Sequence, residues 1–366
     1  MSELNIARQI LEARHQKKVT QEELASYIGV SKAAVSKWES GISFPDITIL
    51  PQLATYFNIS IDELMGYEPQ MTKEEIKKTY RDLKKLFAEQ SWDEAMKVCE
   101  ELEKKYYSCF PLLLQLIVLY LNHGNLSSDP PKVYEHCIKL AERIRMQGED
   151  VNNSKQAVSL EVTCHLLMGE PMKALDLLGE KVRPYAQDTE LLGQIYQSIG
   201  NVEKTKETFQ LAAYQHLMFL VGDATSLILA YADEPERADE IIKRTLQVVE
   251  TYKMDTLHPN AAAVFYLTAA QVYCMNEKVG DSLAVLEKYV YLCEHSFFPF
   301  TLHGDEFFDR LDEWFQEFDL GGQAPRSEIL IKKSMLESVK KNPALALLQD
   351  KKEYKSMIKR LERLLD

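Results

Sequence analysis

The feature that most restricts the fold is a pair of short predicted helices, separated by a tight turn, in residues 20–41, TQEELASYIGVSKAAVSKWESG. Thr20 and Glu23 have the spacing of a capping box, which starts one helix, and Ser31 is a favourable cap for the next. Gly29 stands between them and tolerates the left-handed backbone that ends a helix. The seam between the helices is filled by Leu24, Ile28, Val30, Val35 and Trp38. The spacing therefore predicts a helix-turn-helix unit.

Further short helices surround this pair. Leu4, Ala7, Ile10 and Leu11 recur on one helical face ahead of Thr20. A fourth helix is expected from about Thr48, with Pro51 in its first turn, and a fifth after the capping box of Ser60 and Glu63. Residues 1–66 are thus expected to form an all-α domain of five helices.

The stretches TQEELASYIGVSKAAVSKWESG and FPDITILPQLATYFNISIDELMG resemble the XRE/lambda-repressor-like family of DNA-binding domains over nearly the whole domain. The resemblance implies that the third helix enters the major groove of DNA and that a dimer reads a palindromic operator. The positions that would read base edges are Lys32, Ala33, Ser36 and Lys37.

By the same resemblance, Gln21 and Ser31 would bind backbone phosphate at helix N-termini. Weaker phosphate candidates are Arg14, Lys17 and Ser43. Glu39 is expected to be a structural residue. Lys18 replaces a glycine often found before the second helix, which leaves the first turn less certain.

After a short linker at 67–71, a third capping box at Thr72 and Glu75 opens a long helical part. Within it, LLGQIYQSIGNVEKTKETFQLA resembles a tetratricopeptide repeat, with Gly193 at the helix contact and Gly200 in the turn. Small or polar residues that mark the second helix of each repeat recur at Ala95, Cys137, Ala174, Thr205, Ala238 and Ser282. The prediction is an α-solenoid of tetratricopeptide-like repeats over 72–295 and a helical C-terminal cap over 296–366, with an irregular helical bundle as the alternative. The aromatic stretch FFPFTLHGDEFFDRLDEWFQEF in the cap is read as a capping element, or otherwise as a dimer or partner surface.

Charge and composition narrow the function. The net charge is −13, of which 1–66 contribute −2 (four Lys and two Arg against six Glu and two Asp) and the remainder −11, so DNA would be bound by a small local face. Six scattered cysteines without a CxxC pair favour reduced thiols in a cytoplasm, with no disulfide framework or metal site. No apolar run is long enough for a membrane span, and the first residues do not resemble a secretory signal.

The domain order resembles the RRNPP group of peptide-responsive, quorum-sensing regulators of Gram-positive bacteria. That resemblance implies a homodimer whose repeats bind a short signalling peptide on their concave face, and the negative repeat part favours a cationic or neutral ligand. Candidate ligand residues on the first helices of the repeats are Gln115, Asn122, Gln194, Gln197 and Gln271.

Two alternatives stay open. The repeats could bind a partner protein instead of a peptide, or the chain could be an enzyme with a DNA-binding head. Against an enzyme, the sequence has no Gly-rich phosphate loop, no GxSxG and no HExxH motif, and no cofactor is expected.

Overall fold

The structure is a computed structural model that describes residues 5–67, 70–182, 188–318 and 321–365. These residues form twenty α-helices and two 3-10 helices, Gly124–Leu126 and Pro343–Leu348. No β-strand occurs in the described ranges, where strand-like pairing is confined to an isolated bridge between Thr301 and Gln323. The all-α fold is therefore confirmed.

The first helices pack around a small apolar core of their own. Ile10, Leu24, Val35, Leu53 and Leu64 lie at its centre and are fully buried. The helices are α1 (Ile6–Lys17), α2 (Gln21–Ile28), α3 (Lys32–Glu39), α4 (Leu50–Phe57) and α5 (Ile61–Met65).

The capping residues hold the helix ends as the sequence predicts. The Thr20 hydroxyl accepts a hydrogen bond from the Glu23 N–H at 3.2 Å, and the Glu23 carboxylate accepts one from the Thr20 N–H at 2.7 Å. The boxes at Ser60 and Thr72 form in the same way. Gly29 ends α2 with φ +82°. Lys18 ends α1 in the same left-handed region, at φ +58°, where glycine would be unstrained.

A second core begins at Ile76 and continues to Cys164. It is lined by the paired helices of the first part of the repeat-like region. They are α6 (Lys73–Glu89), α7 (Trp92–Lys105), α8 (Phe110–His123), α9 (Pro130–Gln147) and α10 (Val151–Leu167). The next helix, α11 (Pro171–Leu178), packs on α10.

A third core begins at Tyr214 and continues into the C-terminal helices. Its first helices are α13 (Val202–Ala230), α14 (Pro235–Thr251), α15 (Met254–Leu257), α16 (Pro259–Met275) and α17 (Val279–His295). The helix before them, α12 (Asp188–Ser198), packs on α13. The repeat markers fall on α7, α9, α11, α13, α14 and α17, and all are buried except Thr205, which is partly exposed. The chain thus continues after α5 as a helical repeat-like region.

The packing of α12 on α13 shows why the repeat needs its small residue. Gly193 is buried, and a Cβ atom placed on it would lie 2.9 Å from the ring of Phe209. Gly200 makes the turn between the two helices at φ +77°. The close approach and the turn both agree with the predicted repeat.

The C-terminal part combines an irregular segment with helices. Its helices are α18 (Asp312–Glu317), α19 (Glu328–Lys340) and α20 (Lys352–Arg363). The last two follow the Gly- and Pro-containing stretch GGQAPRS, residues 321–327. The aromatic stretch before them is largely non-helical, and its Phe297, Phe308 and Phe315 are buried in the third core. The segment also reaches the start of the repeats, because Tyr80 and Lys84 of α6 donate hydrogen bonds to the carbonyls of Pro325 and Ala324.

Candidate functional site

The outer face of α3 is polar, small and open to solvent. Ser31 caps the helix by accepting a hydrogen bond from the Ala34 N–H at 3.2 Å. Val35 and Trp38 are buried, which fixes the rotation of the helix. The exposed residues are those predicted to read or bind DNA: Ser31, Lys32, Ala33, Ser36 and Lys37. Their exposure is what a helix entering the major groove requires.

Glu39 ties this helix to the two helices before it. Its carboxylate accepts hydrogen bonds from Arg14 Nε at 2.5 Å and from Gln21 Nε2 at 2.8 Å. The side chain of Glu39 is 5% exposed and that of Arg14 is 12% exposed. Burial opposes ionisation, but the bonds from Arg14 and Gln21 outweigh it, so the pKa of Glu39 lies below its usual value.

This network corrects the assignment of Arg14. The guanidinium pairs with Glu39 and donates to the carbonyl of Val19 at 2.9 Å, so it is committed inside the domain and not presented to DNA phosphate. Gln21 is partly buried and gives its amide N–H to Glu39, which leaves its amide oxygen and its backbone N–H at the start of α2.

The two remaining phosphate candidates, Lys17 and Ser43, differ in how far their side chains are exposed to solvent. Lys17 is exposed. Its ammonium donates a hydrogen bond to the backbone carbonyl of Tyr56 and lies 4.4 Å from the centre of the Tyr56 ring. Ser43 is partly exposed in the loop after α3, where its N–H donates to the carbonyl of Lys37 at 3.3 Å. The same loop exposes Ile42 and Phe44, which sequence reasoning did not single out.

The predicted ligand residues are not brought to one place. Gln115 is buried in α8, because that helix is enclosed on nearly all sides, and this removes it from a ligand surface. Gln271 is partly buried on α16, and Gln194 and Gln197 are exposed on α12. Asn122, at the end of α8, lines the main cavity of the repeat-like region.

This cavity has a volume of about 410 Å³ and a mostly apolar wall, within the range typical of ligand pockets. It is lined by α8, α16, α17 and α19, and by Phe297, Phe300 and residues 324–326 of the irregular C-terminal segment. Arg326, from that segment, is the charged side chain in its wall. The lining residues include Asn122, Val264, Leu267, Tyr289, Phe297, Phe300, Arg326, Ile331, Ser334, Met335 and Ser338. Sequence reasoning missed it because residues 122 and 326 meet only through tertiary packing.

The described ranges hold neither a metal-binding cluster nor a membrane-spanning helix. No cluster of three or more His, Cys, Asp or Glu side chains suited to a metal ion occurs there. The six cysteines are buried free thiols. None of the described helices has the length and apolarity that crossing a membrane requires.

Solved structures that align with most of the chain include PlcR from Bacillus thuringiensis in complex with the peptide PapR7 and DNA. This chain covers 96% of it at 16% identity, with 80% of this chain aligned and a TM-score of 0.29. Apo ComR from S. thermophilus aligns with 80% of this chain and 94% of its own at 14% identity, with a TM-score of 0.26. Apo ComR from Streptococcus vestibularis aligns with 88% and 99% at 16% identity, with a TM-score of 0.23. TM-scores this low carry no argument about this chain.

The N-terminal part has firmer matches. The helix-turn-helix family HTH_3 matches residues 10–64. The HTH-type transcriptional activator BcrR of Enterococcus faecalis is 39% identical over 71 residues, which are 19% of this chain and 34% of that protein. The match thus spans about a third of the relative's length. The chain therefore carries an XRE-like helix-turn-helix domain over residues 10–64.

Proposed function

We propose that the chain is a sequence-specific DNA-binding transcription regulator whose α3 reads the major groove. The observation that carries this proposal is the outer face of α3, where Lys32, Ser36 and Lys37 are exposed on a helix anchored by Val35 and Trp38. The similarity of the N-terminal part to a transcriptional activator supports it. A protein of this kind would act in the cytoplasm, where it meets DNA.

The chemistry of this face suits direct reading of bases. Lysine ammonium groups donate to guanine O6 and N7, a serine hydroxyl can serve several bases, and the methyl of Ala33 suits a thymine methyl. The phosphate contacts fall to Gln21, Ser31, Lys17 and Ser43, which flank the face on neighbouring helices and loops. The Lys32 Nζ lies 3.4 Å from Glu22 Oε2 in a highly exposed ion pair. Such a pair contributes little to stability, so a contact with DNA can replace it at a small free-energy cost.

The double variant Lys32→Ala with Lys37→Ala tests this assignment. Each lysine contact to a base is worth about 1–3 kcal/mol, so the pair should weaken specific binding roughly 30-fold or more at fixed salt. Thermal unfolding should stay unchanged because neither side chain enters the core. The matched control is Lys352→Ala with Lys359→Ala on exposed positions of α20. Equal DNA affinities for the two double variants, measured by fluorescence anisotropy, would remove α3 from the reading role.

The regulator is also proposed to be a homodimer on a palindromic operator. One such domain offers few phosphate contacts, and a two-fold dimer doubles them over two half-sites. The middle of the chain supplies a surface for this assembly. Between the second and third cores, α10 to α13 expose a run of large apolar side chains: Leu166, Leu167, Met172, Leu178, Leu191, Leu192, Ile195, Ile199, Val202, Phe219 and Leu220. Exposed large apolar side chains mark protein interfaces where they form a contiguous patch, and these are proposed to form one.

A ligand bound in the repeat-like region is proposed to control the DNA-bound state. The support is the 410 Å³ cavity, together with the resemblance in domain order to peptide-responsive regulators. Because the cavity wall joins α8 to the C-terminal segment, an occupant would fasten two distant parts of the region. The alternative is a partner protein on the repeats, for which the exposed apolar side chains of α10 to α13 are the favouring observation.

Thermal unfolding distinguishes these two forms of control. A ligand that binds the folded state raises the midpoint with concentration as RT ln(1 + [L]/Kd), and should change DNA affinity in the same titration. A repeat region that binds only a partner protein would give no shift with any small molecule or short peptide. The measurement therefore separates them before a partner is known.

A further inference from the structure

We infer that the 410 Å³ cavity binds its ligand through a carboxylate held by Arg326, with the apolar wall enclosing the hydrocarbon group attached to that carboxylate. The inference rests on the proposal that a ligand controls the regulator, and it names the chemistry of that ligand. The carboxylate could be the C-terminus of a short peptide or belong to a small organic acid.

Arg326 lies partly buried in the cavity wall, and the described residues supply it with no compensating anion. Its Nη1 donates to the Ser334 hydroxyl at 2.9 Å, and its buried Nε has no hydrogen-bond partner in the described ranges. No acidic side chain of those ranges forms an ion pair with it. Burial lowers the pKa of this guanidinium. A charge withdrawn from water without a counter-charge is costly, so the position is explained best by a ligand that supplies one.

The described charged groups near Arg326 are a lysine and a carboxylate that already has an ion-pair partner. The nearby carboxylate of Glu328 is taken by Lys332 at 2.7 Å. Burial lowers the pKa of His123 to about 4, and the positive charges of Arg326 and Lys84 act in the same direction. Lys84, in turn, donates to a backbone carbonyl. The expectation of a cationic or neutral ligand came from the net charge of the whole repeat part, and over a few ångströms the local charges dominate.

The other lining groups select a carboxylate over a phosphate. The wall is formed mainly by Val264, Leu267, Phe297, Phe300, Ile331 and Met335, which suit a hydrocarbon group. The other polar side chains of the wall are those of Asn122, His258, Asn260, Tyr289, Ser334 and Ser338. One guanidinium matches the single charge and planar fork of a carboxylate, whereas a phosphate dianion would need further cations in this apolar wall.

The test uses the full chain and three sets of probes: a pool of random heptapeptides with free C-termini, the same pool amidated, and octanoate as a small apolar acid. Binding is detected by affinity selection with mass spectrometry. The affinity of each selected binder is then measured from the shift in the thermal unfolding midpoint of the protein. The variants are Arg326→Gln, which removes the charge, and Arg326→Lys, which keeps it without the fork. Arg244→Gln, on an arginine that is 78% exposed, is the matched control.

The inference predicts that free-acid binders outnumber amidated ones on the wild type and weaken roughly 10- to 100-fold in Arg326→Gln. Arg326→Lys should fall between, and Arg244→Gln should match the wild type. Without ligand, Arg326→Gln should unfold at the wild-type temperature or above it, because a partly buried charge that has no ion-pair partner in the described ranges is gone.

Each other outcome is decisive. Binding of octanoate that depends on Arg326, with no peptide bound, would uphold the carboxylate and reject the peptide. Peptides that bind equally with amidated ends and in Arg326→Gln would overturn this inference while leaving ligand control intact. Failure of every probe to bind a correctly folded wild type would overturn both.

Discussion

Glu39 is the residue on which the arrangement of the DNA-reading helices depends. It lies at the end of α3 and is bonded to Arg14 of α1 and Gln21 of α2. A carboxylate that joins three helices in this way positions the reading face without touching DNA. The same carboxylate pairs with Arg14, so this cation does not face the proposed DNA interface although it lies close to it.

Glu39→Gln should destabilise the N-terminal helices by about 3 kcal/mol, because the buried guanidinium of Arg14 loses its counter-charge. Faster amide hydrogen exchange confined to α1, α2 and α3 of the full chain is the expected result. Glu12→Gln, which removes the partner of the exposed Arg8, should have little effect. Equal exchange in the two variants would contradict the structural role of Glu39.

The same residue gives a pH dependence. Because the pKa of Glu39 is lowered in the folded protein, its contribution to stability is full above the usual pKa of 4.5 and is lost as the pH falls through the folded value. The protection factors of the amides of α1 to α3 in the wild type, corrected for the intrinsic pH dependence of exchange, should therefore fall below about pH 4.5. Glu39→Gln should lack this component and show a flatter profile.

At the residue scale, local chemistry is what a sequence shows best. The capping boxes of Thr20, Ser60 and Thr72 were predicted because each joins residues three apart. The partnership of Arg14 with Glu39 spans 25 residues and depends on how helices pack, so the sequence offered Arg14 only as a weaker candidate for a phosphate contact. The lysines of α3 could be placed because burial of Val35 and Trp38 determines the opposite face.

At the element scale, α13 is the unusual helix. Its 29 residues make it about 44 Å long, and it packs against α12 at one end and α14 and α16 further along. The steps from Ala174 to Thr205 and from Thr205 to Ala238 resembled ordinary repeats, which concealed a continuous helix between them. The place of Gly193 was predicted correctly because a close helix contact demands a small residue, here against the ring of Phe209.

The apolar face beside α13 gives a test of the dimer. Ile195, on α12, and Ile199, in the turn directly after α12, are four residues apart and both well exposed. Ile195→Glu with Ile199→Glu should convert a dimer to a monomer in sedimentation velocity and lower DNA affinity, because two charges would be buried in the interface. Met275→Glu with Leu347→Glu, exposed on α16 and on the 3-10 helix Pro343–Leu348, is the control outside α10 to α13. A wild type that sediments as a monomer, or a dimer that survives both changes, would contradict the assignment.

At the scale of the whole molecule, the C-terminal segment connects the two ends of the repeat-like region. Capping of the last repeats was predictable from the density of aromatics, and Phe308 and Phe315 are buried as that role requires. Its contacts with Tyr80 and Lys84 of α6 were not predictable, since those residues lie some 240 positions away. The cavity that contains Arg326 escaped prediction for the same reason.

The reach of that segment suggests how a ligand could act on DNA binding. A cavity walled by α8, α16, α17 and α19 changes its energy when those parts move relative to one another. An occupant therefore favours the arrangement in which they close around it, and it can shift the spacing of two DNA-reading domains only through such a difference.

The most direct measurement is selection of bound sequences from random duplex DNA by the full chain, with and without Lys32→Ala and Lys37→Ala. The account predicts that the wild type enriches two inverted half-sites with centres about one helical turn apart or somewhat more, and that the double variant loses them. Enrichment of a single unrepeated half-site would contradict the dimer. No enrichment by the wild type, or the same motif from both proteins, would contradict reading of DNA by α3.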